Sequence, residues 1–468
     1  MTHGRRWLLV VCALAVFNGL FFIAYQRPDW NRSWSDQDGY RRLGQVLRDT
    51  GKFTRFPDAP RFVPEVIRTP AYPLFVAAVY SVAGESQTAV AVAQTALFVA
   101  ICVFVFWMTR PIAGEPVALA AATLTAVFPP LPYFGALVMT ELWTAFVFTA
   151  AMAALMRALR TGTILAYAGS GILFGIAALS RPAFALFPLA VGGVVIVLFT
   201  LLRVTARKAY QGVVIMLVAF GVTMSPWFVY NYVNLGRITL SPAGGVGRGL
   251  WEGSWQGVWA GRIQAELTDL ADSTTDRREL DARVEALASR ERTAAKPMLD
   301  YVHQWQDIRR IWTEPTDPVE RADARIRADQ EYERVALQNL RAEPATDLVR
   351  RLARGVFILW AGELPFRYTT INELPGWLIR MCWSIQALLF AAAIVGTVGL
   401  WRSDRRAEAL LLTAPIIYIT AVHFPLLKEA RQSLPSKPVM LLLAAVGGAY
   451  LSGHLLPRES QVHEREHL

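Results

Sequence analysis

Only 18% of the 468 residues are charged, and only three are cysteine. So little charge, set against 54% hydrophobic residues and a mean hydropathy of +0.32, excludes a single soluble core and points to a polytopic membrane protein. Cys12, Cys102 and Cys382 lie far apart inside apolar runs, which excludes a disulfide framework and reads as three small buried hydrophobes. The chain has no Walker motif and no internal repeat. Its glycine-rich run from Gly244 to Gly249 lacks the Lys-Ser/Thr of a phosphate loop, so it reads as flexible chain over a site rather than a nucleotide cradle. The net charge of +10 suits anionic headgroups or phosphorylated lipids, and nucleic acid is not an expected partner.

What the chain does have is apolar runs of membrane-crossing length. With about 20 apolar residues needed per helix, they predict about ten transmembrane helices, at 7–25, 86–108, 116–134, 141–158, 163–180, 183–202, 210–230, 375–400, 408–424 and 438–455. The first follows Arg5 and Arg6 without a small-x-small cleavage site and reads as an uncleaved anchor. Pro129, Pro130 and Pro132 should end the third, and Gly169-Ser170-Gly171 should let the fifth pack closely. Arg110, Arg157, Arg160, Arg203, Arg207, Lys208, Arg402, Arg405, Arg406 and Arg458 fall in alternate short loops and place the N-terminus in the cytoplasm. The first outside loop opposes that assignment, because it carries Arg32, Arg41, Arg42, Arg48, Arg55, Arg61 and Arg68.

Three parts follow: an N-terminal transmembrane module over 1–235 with an outside loop at 26–85, an outside, largely helical charged segment over 236–374, and C-terminal transmembrane helices with a short cytoplasmic tail over 375–468. In the first outside loop, Asp38 to Asp49 should be a helix with Tyr40, Leu43 and Leu47 on one face and Gly51 as its stop. Tyr72 to Ala83 is too short to cross and should lie in the interface. Alternating signs over Arg262 to Arg354 predict solvated helices with little core of their own. Trp251, Trp255 and Trp259 read as sugar-stacking rings or interfacial anchors.

The residues that can carry chemistry sit outside. Ser35-Asp36-Gln37-Asp38-Gly39-Tyr40 and Arg68-Thr69-Pro70-Ala71-Tyr72-Pro73 place a carboxylate and a guanidinium at the membrane surface, which suits chemistry on a lipid phosphate. Asp36 reads as a helix cap or as a general base. Arg181 and Arg431, at the outer ends of two spans, read as headgroup contacts or as phosphate ligands. Glu141 complements the start of the fourth span, with Thr140 as its cap, or lines a site.

Taken in order, Asp36 four before Tyr40, Thr50-Gly51-Lys52-Phe53, Arg68 to Pro73, Pro129, Met139-Thr140-Glu141, Ser180-Arg181-Pro182, Pro226-Trp227 with Asn231-Tyr232, and Arg431 to Pro438 form a pattern. It resembles the polytopic GT-C glycosyltransferases of family 39, the protein O-mannosyltransferase and lipid A aminoarabinose transferase group, over roughly 1–260 and 375–455. The resemblance implies an all-α GT-C fold that moves a sugar from a polyprenyl-phosphate donor to a glycolipid, glycan or protein acceptor. The reaction would take place at the outer face of the cytoplasmic (inner) membrane. It makes Asp36 the catalytic base, sets Arg68, Arg181 and Arg431 on the donor phosphate, and adds Asp38, Tyr40, Tyr72 and Glu141 as site candidates.

A single base suits direct inversion, and Asp38, two residues on along a helix, should face away from Asp36. Relatives differ in metal use; Asp36, Asp38 and Glu141 offer hard oxygen ligands for a divalent cation, and no cofactor is predicted. Acceptor identity does not transfer, because Arg262 to Arg354 matches no motif of the family. A secondary transporter or flippase is the alternative, disfavoured by spans nearly free of charge and by the lack of repeats. A membrane scaffold would leave the Asp36 to Pro73 pattern without a reason.

Overall fold

The computed structural model describes residues 3–30, 35–201, 207–243, 245–256, 258–259, 261–367 and 370–454, and among them every regular element is a helix. Arg32, Arg203, Gly244 and Arg458 lie outside the described residues. The first half of the chain contributes α1 (His3–Gln26), α2 (Ser35–Thr50), α3 (Ala71–Ala83), α4 (Gln87–Val127), α5 (Pro130–Gly135), α6 (Thr140–Thr161), α7 (Ile164–Ala178), α8 (Phe187–Leu201) and α9 (Arg207–Leu235). The charged segment forms α10 (Val246–Trp255), α11 (Gly261–Ser273), α12 (Arg277–Glu291), α13 (Ala295–Thr313), α14 (Pro318–Ala342) and α15 (Ala345–Ala361). The chain closes with α16 (Gly376–Arg402), α17 (Arg406–His423) and α18 (Lys437–Leu451).

Among the described residues six segments, against about ten expected, are long and apolar enough to cross a membrane: α1, α4, α6, α9, α16, and α18 with the turn before it. Shorter apolar helices at Ala71–Ala83, Ile164–Ala178 and Pro182–Val197 accompany them, as expected of a multi-pass membrane protein. The 41-residue α4 holds two of the expected spans. It breaks between them at Gly114, whose φ of 82° falls where only glycine is at ease. α4 ends at Val127, just before the prolines expected to stop it. α7 packs on α9 so closely that a Cβ at Gly171 would lie 2.1 Å from the Met216 carbonyl oxygen, the close approach that Gly169-Ser170-Gly171 predicts.

On the outside, α2 ends as expected, with Gly51 at φ 67° and its N–H bonded to the Leu47 carbonyl at 3.0 Å. It begins at Ser35, earlier than the sequence suggests, so Asp36 lies within the first turn and not at the cap. α3 packs on α2, burying Tyr72, Val76 and Tyr80 beside Val90 and Val138.

Two expectations for the charged segment fail. α10 to α14 enclose a core of their own, in which Leu267, Leu280, Val284, Met298, Val302 and Ala336 are buried. The charges alternate along the sequence while Leu280, Val284 and Leu287 recur at helical spacing beneath them, so one face of α12 is apolar all the same. Trp251, Trp255 and Trp259 belong to that core and are neither sugar platforms nor membrane anchors; Trp251 stacks on Tyr301 at 5.0 Å and donates to Gln304 Oε1 at 2.7 Å. The glycine-rich run is likewise not a loop beyond Gly245, because α10 starts at Val246. Its glycines serve close packing: a Cβ on Gly253 would stand 2.5 Å from the Pro425 carbonyl oxygen.

The two outside segments pack on each other through Val63, Val66, Ala243, Ala322 and Ile326. Ala243 N–H donates to the Val66 carbonyl at 2.8 Å and Ser241 Oγ to the Ile67 carbonyl at 3.0 Å. Buried Glu65 holds the segment before Arg68: Oε1 accepts from Ile67 N–H at 2.8 Å and Arg68 N–H at 3.1 Å, and Oε2 lies 2.5 Å from Arg55 Nε. Glu65→Ala leaves a guanidinium and two amides without their acceptor. Breaking such a pair costs about 3 kcal/mol, the low end for buried ion pairs because Arg55 keeps some solvent. Thermal unfolding of the purified variant should show a Tm several degrees lower; an unchanged Tm would mean that Glu65 holds nothing.

Candidate active site

A cavity of about 550 Å³ opens where α2, the Ile67 to Thr69 segment, the start of α6, the turn after α7 and the start of α10 meet the chain following α17. Asp36, Tyr40, Arg68, Glu141, Arg181 and Arg431 all line it. They come from places far apart in sequence, and short polar ties set their alignment. Gln37, buried beside Asp36, accepts from Val138 N–H at 3.0 Å and so fixes α2 against the turn that leads into Glu141. Gln94 donates to the Gly135 and Leu137 carbonyls at 2.9 and 2.8 Å and shapes the same turn. Trp143 donates to Ser180 Oγ at 2.8 Å, joining α6 to the residue before Arg181.

Within the cavity, charges alternate in a loose ring. Asp36 Oδ1 lies 3.4 Å from Arg68 Nη2 and Oδ2 lies 3.4 Å from Arg431 Nη1. The same Nη1 is 3.8 Å from Glu141 Oε1, which is also 3.6 Å from Arg181 Nη1. Glu429 Oε2 closes on Arg431 Nε at 2.9 Å. Apart from that last contact the separations exceed those of tight charge-assisted bonds. Arg181 and Arg431 therefore keep donors for an incoming anion. Glu141 is 2% exposed, and its Oε2 and Arg181 Nη1 are buried with no hydrogen-bond partner among the described residues. Asp36, with half its side chain exposed, is the open end of the ring.

Arg68 is placed by its surroundings. Its guanidinium lies 4.9 Å from the Tyr40 ring centroid, and it crosses α2 directly over Gly39, where a Cβ would come within 2.3 Å of its central carbon. Burial pushes the Tyr40 phenol up from its ordinary range, with Arg68 pulling the other way.

Two candidates do not join this lining. Asp38 turns the other way along α2, 3.8 Å from Arg41, as its two-residue offset from Asp36 requires. Tyr72 is fully buried beneath Tyr40, edge-on at 5.1 Å, with its hydroxyl 3.3 Å from Gln94 Oε1, so it supports the site from below. Thr140 is the first residue of α6 and not its cap, while Glu141 does sit in the first turn. Among the described residues no three His, Cys, Asp or Glu side chains converge to hold a metal. With Asp38 turned away and Asp36 and Glu141 facing guanidiniums, the proposed oxygen ligands do not fit a cation.

The sequence reading missed Gln37, Gly39 and Glu429. Glu429 was the most findable, because an acid two before Arg431 between apolar runs is an evident partner. It also missed Glu363, buried between α15 and α16, where burial pushes the carboxyl up from 4.5 to about 7 despite a bond from Leu364 N–H and the charges of Lys437 and Arg431. Between those pH values the folded chain holds a proton that the unfolded chain has lost. Stability is then full below 4.5 and declines as pH rises through about 7. Glu363→Gln should flatten the fall in Tm across that window and raise Tm above it; an unchanged Tm profile against pH would refute the assignment.

The fold is the GT-C fold of membrane glycosyltransferases, as the sequence resemblance implies. Residues 67–229, which carry Arg68, Glu141 and Arg181, match the family model described as dolichyl-phosphate-mannose-protein mannosyltransferase. Among solved structures, the oligosaccharyltransferase AglB from Archaeoglobus fulgidus, in complex with an inhibitory peptide and a dolichol-phosphate, superposes with a TM-score of 0.53 at 14% identity. That superposition covers 95% of this chain and 50% of AglB. The apo form of the same organism's oligosaccharyltransferase gives 0.51 at 14% identity, over 98% and 52%. The chain thus spans about half the length of these proteins. ArnT from Cupriavidus metallidurans, bound to undecaprenyl phosphate, gives 0.41 at 13% identity, over 95% and 77%. No curated protein matches by sequence.

Proposed function

We propose that the protein is a glycosyltransferase that moves a sugar from a polyprenyl-phosphate donor to a hydroxyl of a glycolipid, glycan or protein at the outer face of the cytoplasmic membrane. The observation that carries this reading is the convergence of one half-exposed carboxylate, Asp36, with Arg68, Arg181 and Arg431 in one cavity beside apolar helices. Asp36 takes the acceptor proton as the acceptor oxygen bonds to the anomeric carbon. The bond from that carbon to the phosphate oxygen breaks, and the departing polyprenyl phosphate carries off the electron pair. Its developing charge falls among the guanidiniums of Arg68, Arg181 and Arg431, which line the same cavity. Asp36 is the half-exposed carboxylate of the cavity while Glu141 is buried against Arg181 and Arg431, an arrangement that suits one base and inversion in a single displacement.

The match of residues 67–229 and the GT-C fold support this reading, and the basic short loops support the outward-facing site. The test is release of free polyprenyl phosphate by purified protein from a panel of polyprenyl-phosphate sugars, with a membrane-lipid and cell-envelope extract as acceptor source. Release from any member is the expected result. None across the panel would overturn the reading in favour of a transporter or flippase.

A further inference from the structure

A second cavity, of about 390 Å³, adjoins the first and shares Ile67 and Gly245 with it. Its walls come from α10, α11, α13 and α14, away from the apolar helices, and three arginines line it: Arg248, Arg309 and Arg325. Two of them are already paired. Arg248 lies 2.9 Å from Glu252 and Arg309 bonds Asp272, which also accepts from Trp305 Nε1 at 2.8 Å. Asp329, the other acid in the wall, is engaged by the Gly247 and Arg248 amides at 3.3 and 3.1 Å.

Arg325 differs, having no carboxylate partner among the described residues. Its guanidinium lies 4.2 Å from the Trp312 centroid, as Arg248 lies 5.0 Å from that of Trp305, so each cation is held against a ring that lines the same cavity. Burial, and after it the nearby cations Arg55, Arg321 and Arg68, lower the Arg325 pKa to about 10 against the pull of Glu65. A half-buried cation among cations, held in place and unpaired, is a site for an anion. The volume is that of a small-molecule pocket and has room for more than the charged group alone.

We propose that this cavity is an acceptor subsite for an anionic saccharide, a sugar bearing a phosphate or carboxylate that Arg325 holds while a hydroxyl extends past Ile67 and Gly245 toward Asp36. The acceptor role rests on the transfer reading above; the binding does not. The test is calorimetric titration of the full chain in nanodiscs with glucose 6-phosphate, glucuronate, inorganic phosphate and glucose. The two anionic sugars should bind more tightly than phosphate, and glucose should not bind. Arg325→Gln should weaken both about tenfold or more, as expected for loss of a charge-assisted bond, while Arg325→Lys retains part of the affinity and both variants keep the wild-type Tm. Equal binding to Arg325→Gln, equal binding of glucose, phosphate matching the sugar phosphate, or no binding by any probe would each overturn the proposal. Binding without release from any donor would sink the transferase reading and leave this site standing, whereas release without binding would do the reverse.

Discussion

The Asp36→Asn variant is expected to release polyprenyl phosphate at no more than about a hundredth of the wild-type rate, the lower end of what removal of a general base costs. Asparagine keeps the shape of the side chain and its place in the first turn of α2, and it cannot take the acceptor proton. The fold should survive. Arg431 retains Glu429 at 2.9 Å and Glu141 at 3.8 Å, and Arg68 retains the Tyr40 ring. A carboxylate in a first helical turn contributes roughly 0.3–1 kcal/mol through the helix dipole, and Asp36 is half exposed, so the stability loss should stay below about 1 kcal/mol. Rate and Tm together decide the matter: a hundredfold loss at nearly constant Tm identifies a base, whereas wild-type release with a lowered Tm would make Asp36 a structural residue of α2.

The parts of this molecule that the sequence made legible are those set by hydropathy and by single special residues. Within the described residues the expected apolar runs fall on helices or parts of them, six long enough to cross, because the need to satisfy backbone groups in lipid leaves little choice. Gly51, Gly171 and the prolines from Pro129 act where the sequence placed them. Asp36, Arg68, Arg181 and Arg431 stood out by their place outside the apolar runs and by the order of the motifs, and six of the eight candidates share one cavity. The remainder lay in three-dimensional relations that no short pattern encodes. The core under α10 to α14 hid behind alternating charges, because a helix can be charged on three sides and still bury Leu280 and Val284. The glycines of α10 read as flexibility and act instead as contact surface for α14 and the chain after α17. Asp38 faces away from Asp36, since a two-residue offset on a helix settles that much.

Gly39→Ala separates positioning from folding more sharply than any change at a charged residue. Alanine exceeds glycine in helix propensity by about 1 kcal/mol, and Gly39 lies inside α2. The new Cβ would stand 2.3 to 2.6 Å from Arg68 guanidinium atoms, too close for both to stay. Those atoms are the far end of a flexible side chain, so the guanidinium gives way and the helix does not. Displaced, Arg68 leaves both Asp36 and the Tyr40 ring, and under the proposed mechanism the departing phosphate would lose one of three cations. Removing a preorganised donor at a developing anion costs about 100-fold to 1,000-fold, and a displaced arginine that still adds charge should cost less, about tenfold to 100-fold. Turnover by Gly39→Ala is therefore expected to fall by that factor with Tm unchanged or higher. A fall in Tm would mean that α2 repacks, and unchanged turnover would mean that Arg68 need not sit where it does. In an Arg68→Ala background the same substitution should have almost no further effect on rate, because the group it displaces is gone. Additive losses in the double variant would show that Gly39 acts through some other neighbour.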